Sequence, residues 1–225
     1  VEVTLYGITQ GTYERVTGIS GSYTRCIKGI ELLLERKLPV KLKSVIMTLN
    51  KHEIWNIKEY AESLGVDFRF DPVLNMRVDG GKNPAKFRIS PEEVVELDLA
   101  DKKRIEGWYE FCDKFLGPPP DPEYIYQCGA GLSTFHIDPY GHLSICMMSR
   151  FPSYDLRQGS FSDGWRKFIP KVRSQGWTRE TACRSCELIS LCGQCPGFAQ
   201  MENADQEEPV HYLCQIAHLR VEAFS

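Results

Sequence analysis

The cysteines are the residues of this chain whose number and spacing indicate possible chemistry. The 225 residues contain nine cysteines, and four of them form the run C-x2-C-x5-C-x2-C within ACRSCELISLCGQC. Nine is an odd number, and the first residues, VEVTLYG, are typical of a strand rather than of a secretory signal peptide, so a disulfide framework is poorly motivated. In a reducing compartment, clustered C-x-x-C pairs predict a metal site. Seven cysteines lie after residue 127: Cys128, Cys146, Cys183, Cys186, Cys192, Cys195 and Cys214.

These seven thiols fit one four-ligand site and one three-ligand site. Zinc takes four tetrahedral thiolate or imidazole ligands, so two zinc sites could use the set, with His136, His142 or His211 completing the second. A cubane iron–sulfur cluster is held by thiolates in a closely spaced run plus one remote cysteine, which fits equally well. Spacing alone does not distinguish a zinc site from an iron–sulfur cluster. No histidine is assigned as a ligand, because His136 alternates with exposed strand positions and His142 lies beside a turn.

Cys26 and Cys112 are the two cysteines outside this set. Each falls on the apolar stripe of a predicted amphipathic helix. We therefore interpret both as core residues first and as ligands second.

Composition excludes several classes of protein. The chain has 42% hydrophobic and 25% charged residues, which is ordinary for a globular protein. Its net charge is -3 and it has no basic tract, so nucleic acid is not an expected partner. No apolar run reaches the ~18 residues of a membrane span. We expect a cytoplasmic location.

The first 72 residues alternate strand and helix patterns. The strand VEVTLY is followed by a Gly-rich turn, a helix capped by Ser22, and the strand VKLKSVIM. Asn50 is the predicted cap of a second helix, with Glu53 completing a capping box and Gly65 ending it. The strand VDFRF closes this β-α-β-α-β series, whose connections are long enough for parallel pairing.

Alternation along these strands predicts one apolar face and one polar face. We expect helices to pack on the apolar face. The polar face either lines a chamber that binds a ligand or is the solvated face of an open sheet. Because active sites of barrels lie at the strand ends, Arg69 and Asp71 are candidate substrate or cofactor contacts. The predicted polar face consists of Glu2, Thr4, Tyr6, Lys41, Lys43, Asp67, Arg69 and Asp71.

The rest of the chain is predicted to contain a long loop, a helical region and a cysteine-rich part. Residues 73–90 form the loop, in which DGGK lacks the spacing of a phosphate-binding loop and predicts a plain turn. Residues 91–116 are helical, and the Pro-rich GPPPDPE at 117–123 is the best domain boundary. A β-hairpin turning at residues 138–141, a short amphipathic helix, SDGWRKFIPKV, and a C-terminal helix follow.

The full cysteine spacing resembles a known extension. C-x12-G-x4-C, then C-x2-C-x5-C-x2-C, then a distant cysteine, resembles the SPASM extension of radical S-adenosylmethionine (SAM) enzymes. The first half, from VEVTLYG to VIMTLN, is similar to the fourth strand, helix and fifth strand of their barrel. The resemblance covers nearly the whole chain and implies an α/β fold. Residues 1–117 would form the second half of the radical SAM (β/α) barrel, and residues 118–225 a small α+β SPASM domain with a β-hairpin.

The resemblance also implies two auxiliary [4Fe–4S] clusters. The first has three cysteine ligands, which leaves one iron for another residue, a solvent ligand or substrate. Cys112 could supply that ligand only if its helix turns toward the site. By the family pattern, Cys128, Cys146 and Cys195 hold the first cluster, and Cys183, Cys186, Cys192 and Cys214 hold the second.

Two departures from the family pattern matter. The C-x3-C-x2-C motif that binds the SAM-cleaving cluster is absent, so this chain by itself is expected to be inactive and to be the C-terminal part of an enzyme. The spacer "GQ" in CGQC is one residue shorter than is usual in the family. SAM and a third [4Fe–4S] cluster are therefore expected only in the intact enzyme.

The implied activity is modification of a peptide or protein. In the intact enzyme a 5′-deoxyadenosyl radical would abstract a hydrogen from that substrate, and the auxiliary clusters would transfer an electron or position a substrate group. The partners are the peptide or protein substrate and an electron donor or acceptor. Thr4 keeps a hydroxyl where the family contacts SAM, and Tyr6 changes the group that faces substrate.

Two other functions stay open. One is a structural or interaction module folded around zinc. The other is an electron carrier that uses iron–sulfur clusters without SAM chemistry.

Overall fold

The computed structural model describes residues 1–225 and divides into two compact units. The first unit consists of Val1–Leu74 and Asn83–Ser90, and the second of Asn75–Lys82 and Pro91–Ser225. No helix in either unit is both long and apolar enough to cross a membrane.

The first unit is a three-stranded sheet with helices. Strand β1 pairs parallel with β2, and β2 pairs parallel with β3, which confirms the parallel pairing predicted from the β-α-β-α-β pattern. The sheet does not close on itself, and the assignment to a partial barrel stays a prediction. Its elements are β1 (Glu2–Thr4), α1 (Gln10–Thr17), α2 (Ser22–Glu35), β2 (Lys41–Val45), α3 (Ile54–Ser63) and β3 (Asp67–Asp71).

One face of this sheet carries the core. Val3, Leu42 and Phe68 are register partners, so their side chains share a face. That face packs against α2 and α3, whose Ile30 and Ile57 are fully buried. Burying a side chain of this size contributes about 1.5–3 kcal/mol. The helices therefore hold the sheet through its apolar face and leave the polar face free.

Helix α1 is not predicted by the sequence patterns. They indicate a Gly-rich turn in this segment, whereas residues Gln10–Thr17 are helical. Thr9 caps the helix by accepting a hydrogen bond from the Thr12 amide, and Gly18 ends it with a left-handed φ of 69°. The helix has no apolar stripe, since its buried residues are Thr12 and Tyr13, and periodicity could not find it.

Two predicted N-terminal helix caps are wrong. Ser22 is the first residue of α2, and Gly21 is the cap. Asn50 makes no capping bond; its side chain accepts from the Met47 amide at 2.7 Å and donates to the Tyr6 and Val45 carbonyls at 3.0 Å. For Asn50, partners on other segments outcompete the local cap.

Glu53 forms no capping box. A 3-10 turn over Lys51–Glu53 precedes α3, and the carboxylate of Glu53 binds the loop before α1. It accepts from the Ile8 amide at 2.6 Å and from the hydroxyls of Thr9 and Thr12, both at 2.6 Å. Glu53 thereby fixes the segment that leaves β1.

The second unit is mainly helical with a small antiparallel sheet. The predicted helical region at 91–116 is two helices, α4 (Pro91–Leu99) and α5 (Lys102–Phe115), because Asp101 caps the second through the Arg104 amide. In the structure, α4 and α5 belong to the second unit. The sequence-based division into residues 1–117 and 118–225 places them in the first domain. That division stays a prediction about domains.

The predicted hairpin at residues 138–141 is confirmed. Strands β4 (His136–Ile137) and β5 (His142–Ser144) pair antiparallel, and a third strand, β6 (Tyr154–Asp155), which the sequence does not predict, pairs with β5. Asp138 accepts hydrogen bonds from the Tyr140 and His142 amides at 2.9 Å, and Gly141 has a φ of +84°. Leu143 and Ile145 then enter a buried cluster.

The remaining elements carry most of the cysteines. The predicted short helix, SDGWRKFIPKV, is helical. It consists of α6 (Phe161–Asp163), a π turn over Gly164–Phe168, and α7 (Ile169–Arg173). The C-terminal helix is also as predicted. The last helices are α8 (Ile189–Cys192), α9 (Pro196–Asn203) and α10 (His211–Phe224), of which α8 and α9 are not predicted by the sequence.

Candidate metal centre

Four cysteines come together around α8 and the start of α10. A 3-10 turn over Ala182–Ser185 carries Cys183, and Cys186 directly follows it. Cys192 is the last residue of α8, and Cys214 lies in the first turn of α10. The Cys192 and Cys214 thiols lie close enough to shift each other's pKa. Short elements and one long helix thus bring four thiols of distant sequence positions to one place.

The thiols of this group shift each other's pKa values. Burial raises the pKa of Cys183 to about 11, and the neighbouring sulfurs of Cys214 and Cys186 add to the shift. The neighbouring Cys214 thiol, followed by burial, raises the pKa of Cys192. The Cys192 thiol in turn lowers the pKa of Cys214, with help from His211. A metal would have to displace the remaining protons, because thiolates are the ligands.

Three further cysteines form a separate group near the hairpin. Cys146 follows β5, Cys195 lies directly before α9, and Cys128 is exposed in the segment before the hairpin. Burial raises the pKa of Cys195, and the sulfurs of Cys146 and Cys128 raise it further. Burial also raises the pKa of Tyr126, to which all three sulfurs of this group contribute.

Backbone amides point at two sulfurs of the three-cysteine group. The amides of Met148 and Ser149 lie 3.3 Å from the Cys146 sulfur, and the Phe198 amide lies 3.3 Å from that of Cys195. The indole N–H of Trp177 is buried without a partner, and Trp177 lines a small cavity together with Cys195. Amides aimed at sulfur and an orphaned donor beside it fit a group that carries anionic thiolates and further acceptors.

The donor set consists of thiols, which are ligands both of zinc and of iron–sulfur clusters. No group of three or more His, Cys, Asp or Glu side chains is arranged to hold one metal ion. In a four-iron cluster each thiolate binds a different iron, so its ligands stand farther apart than those of one ion. The seven thiols fit such ligand sets in their chemistry and in their division into four and three.

Two candidate residues of the first unit, Arg69 and Asp71, lie on the polar face of the sheet. Arg69 makes a two-pronged pair with Glu2, at 2.6 and 2.8 Å, and Lys43 lies 3.1 Å from the same carboxylate. Hydrogen bonds from Arg69 and then Lys43 lower the pKa of Glu2 to about 2. Asp71 accepts a hydrogen bond from the Val73 amide at 3.0 Å. The side chain of Arg69 is 59% exposed, so this face is open to solvent in the structure.

Tyr6 departs from the predicted alternation. It lies beyond the end of β1 and packs against the apolar cluster, with its ring 6.0 Å from that of Tyr13. Its predicted placement on the polar face is therefore wrong. Thr4 is the last residue of β1 and pairs in register with Lys43, as the alternation predicts. The roles of Thr4, Tyr6, Arg69 and Asp71 toward SAM or substrate stay predictions.

The other polar candidates have partners of their own. His142 lies 3.0 Å from Asp138, and His136 lies 3.4 Å from the Ser144 hydroxyl. Cys112 is buried, and Cys26 packs against the core of the first unit, as predicted.

Sequence reasoning missed a cavity of about 730 Å³ in the second unit. Its walls come from three separate segments, 77–79, 136–144 and 150–153, so no local pattern could have revealed it. Ser144 lines the cavity and donates to the Cys146 carbonyl at 3.2 Å, which places the cavity beside the three-cysteine group. Its volume is within the usual range for small-molecule sites.

Similar proteins were found among curated sequences. The chain is 25% identical over 231 residues to a PqqA peptide cyclase of Granulibacter bethesdensis. The aligned region covers 94% of the chain and 60% of the relative. It is 25% identical over 232 residues to a PqqA peptide cyclase of Rhodopseudomonas palustris, at 93% and 59% coverage. The chain thus spans about three fifths of the length of these relatives.

A shorter match is to a probable GTP 3',8-cyclase of Saccharolobus islandicus, with 32% identity over 68 residues, or 30% of the chain and 22% of the relative. No family model and no solved structure matches the chain. Along nearly its whole length, then, the chain is similar to peptide cyclases.

Proposed function

We propose that this chain is part of a radical SAM/SPASM enzyme that modifies a peptide or protein, and that it binds two auxiliary [4Fe–4S] clusters. The observation that carries the proposal is the division of seven thiols into a group of four and a group of three. The two groups have the membership that the SPASM resemblance implies. The named ligands are Cys183, Cys186, Cys192 and Cys214 for one cluster, and Cys128, Cys146 and Cys195 for the other.

The relatives support the enzymatic part of this proposal. Both long matches are named PqqA peptide cyclases, and the short match is named a probable GTP 3',8-cyclase, so the names point to the radical SAM family. A peptide substrate follows from the long matches. The motif that binds the SAM-cleaving cluster is absent from the 225 residues, and we assign it to the part of the enzyme outside them.

The residues of this chain would serve the clusters in two ways. When bound, the clusters supply one-electron chemistry or a site for a substrate group. The amides of Met148, Ser149 and Phe198 would donate to the ligating sulfurs and stabilise their negative charge. The volume of the cavity beside Cys146 would hold a side chain or a short stretch of a peptide, which supports substrate access to the three-cysteine group.

Anaerobic reconstitution with iron and sulfide tests the proposal. We expect about eight irons and eight sulfides per chain, since each cubane holds four of each. Cys186→Ala removes one thiolate from the four-cysteine group, so we expect it to lose one cluster and about half of the iron. Cys26→Ala is the matched control, because Cys26 packs against the core of the first unit, and it should keep the full iron content.

The same measurement separates the alternatives. About two zincs and no sulfide would support a structural zinc module and contradict the cluster proposal. Full clusters together with SAM cleavage and peptide modification by the intact enzyme support the proposed peptide-modifying radical SAM enzyme. Clusters without SAM chemistry in that intact enzyme would make it an electron carrier.

A further inference from the structure

The second unit buries a charged network between its helices. Asp98 of α4 is fully buried and faces two guanidinium groups, those of Arg104 on α5 and Arg220 on α10. The Arg104 Nε lies 2.7 Å from one carboxylate oxygen, and the Arg220 Nε lies 3.0 Å from the other. One negative charge is therefore shared between two cations.

Arg220 is the more deeply buried of the two arginines. Its side chain is 7% exposed, against 24% for Arg104. Its other contacts are neutral, since Nη1 donates to the Leu191 carbonyl at 3.4 Å and the guanidinium lies 3.9 Å from the centre of the Trp108 ring. Burying a cation is costly unless anions compensate it, and a shared carboxylate compensates Arg220 only in part.

The position of Arg220 suggests what else compensates it. The Leu191 carbonyl that it binds belongs to the residue directly before Cys192. Cys214, which contacts Cys192, lies on the same helix as Arg220. Burial lowers the pKa of Arg220, Asp98 opposes this shift, and the Cys192 sulfur opposes it as well. The buried cation therefore lies beside the four-cysteine group.

We infer that Arg220 is a positioning residue for the cluster of the four-cysteine group, where its buried positive charge stabilises the reduced state and its bond to the Leu191 carbonyl holds Cys192. The inference rests on the proposed function, because it requires a cluster at these four thiols. A cluster with four thiolate ligands is anionic in both redox states and gains one more negative charge on reduction. A nearby cation in a poorly solvated site favours the more negative state.

The charge and the shape of Arg220 can be tested separately. Arg220→Met keeps an unbranched side chain of similar reach and removes the charge, whereas Arg220→Lys keeps the charge and loses the planar fork. In the reconstituted full chain, dithionite supplies the electron and EPR follows each cluster. We expect Arg220→Met to lower the equilibrium constant for one-electron reduction of one cluster about tenfold, which is a shift of about 59 mV. Arg220→Lys should stay near the wild-type potential.

Controls make the result specific. The couple of the other cluster is an internal control and should not move. Arg157→Met is a matched control, because Arg157 is an exposed arginine of the same unit that pairs with Asp155. If Arg220→Met fails to fold or to load, Asp98→Asn decides the question, since it removes a negative charge from the same network. It should raise the potential of the same cluster.

The outcomes separate this inference from the proposed function. Wild-type protein that takes up no iron and sulfide would overturn both. Fully loaded Arg220→Met with both potentials unchanged would overturn the inference and leave the proposed function intact. The inference is likewise overturned if Asp98→Asn, used in its place, leaves the potential unchanged or lowers it.

Discussion

The two units of this chain place their ionic side chains differently. In the first unit the sheet has strands of up to five residues, its ionic residues stay on an exposed face, and helices cover the other face. In the second unit the strands are two or three residues long, and Asp98 and Arg220 lie buried among helices. Regular strands and apolar stripes specify the first unit apart from Asn50 and Glu53, which bind distant segments. The second unit depends more on buried charges that pair across helices far apart in the chain.

This difference has an energetic meaning. Apolar burial in the first unit requires nothing from outside the chain. The second unit holds the seven candidate ligand thiols, four of which have pKa values raised or lowered by burial and by each other, together with an orphaned indole N–H. Such an arrangement gains stability when a ligand satisfies it, because metal binding is coupled to folding. The two units should therefore respond differently to the same perturbations.

Removing metal should have the largest effect and should be confined to the second unit. Binding free energies of structural metals are on the order of 10 kcal/mol, and losing them removes that stabilisation from the unit that holds the ligands. Hydrogen exchange of the reconstituted and the chelator-treated chain measures this. We expect amides of α8, α9 and α10 to lose protection and amides of β1, β2 and β3 to keep it. Equal loss in both units would break the comparison.

A cavity in the first unit should show the converse. Ile30 is fully buried, so Ile30→Ala should lower the free energy of unfolding by about 2–5 kcal/mol through lost burial and an unfilled cavity. Denaturant unfolding of the reconstituted chain measures the loss, and the iron content should stay at the wild-type level. Leu32→Ala on the same helix is the control, because Leu32 is 37% exposed and should cost much less. Loss of iron in Ile30→Ala would show that the units are not independent.

A smaller, pH-dependent effect should come from Glu53. Burial raises the pKa of this carboxyl, but hydrogen bonds from Thr12, Thr9 and the Ile8 amide lower it more. A folded-state pKa below the unfolded one adds stability above the unfolded value of about 4.3, and that stability is lost as pH falls through the folded value. We expect Glu53→Gln to lower the melting temperature at pH 7, with the difference shrinking below about pH 4.3.

The control for this prediction is Glu59→Gln, at an exposed position of α3. It should leave the melting temperature near that of the wild type throughout the pH range. A Glu53→Gln difference that stayed constant down to about pH 3, below the usual carboxyl range, would contradict the role given to the carboxylate.

Sequence patterns predict the strands and longer helices well, and the polar contacts poorly. The strands around Leu42 and Phe68 alternate regularly, and periodicity is a local property of a strand. The predictions for Asn50 and Glu53 are wrong because a local capping motif and a long-range partner compete for the same side chain. The cavity and the unpartnered Trp177 escape prediction because segments far apart in sequence form them.

The sequence by itself determined that seven thiols follow residue 127, four of them in one C-x2-C-x5-C-x2-C run, and that a parallel β-α-β-α-β series precedes them. Both are properties of residue order, which spacing and periodicity express directly. The family resemblance implied which thiols group together, whereas only the tertiary structure shows which elements bring them near each other. At the "GQ" spacer, Gly193 ends α8 with a φ of 72° and Cys195 lies directly before α9. The turn sends Cys192 toward Cys214 and Cys195 toward Cys146, because contacts between residues far apart in the chain depend on how the elements pack and not on their spacing.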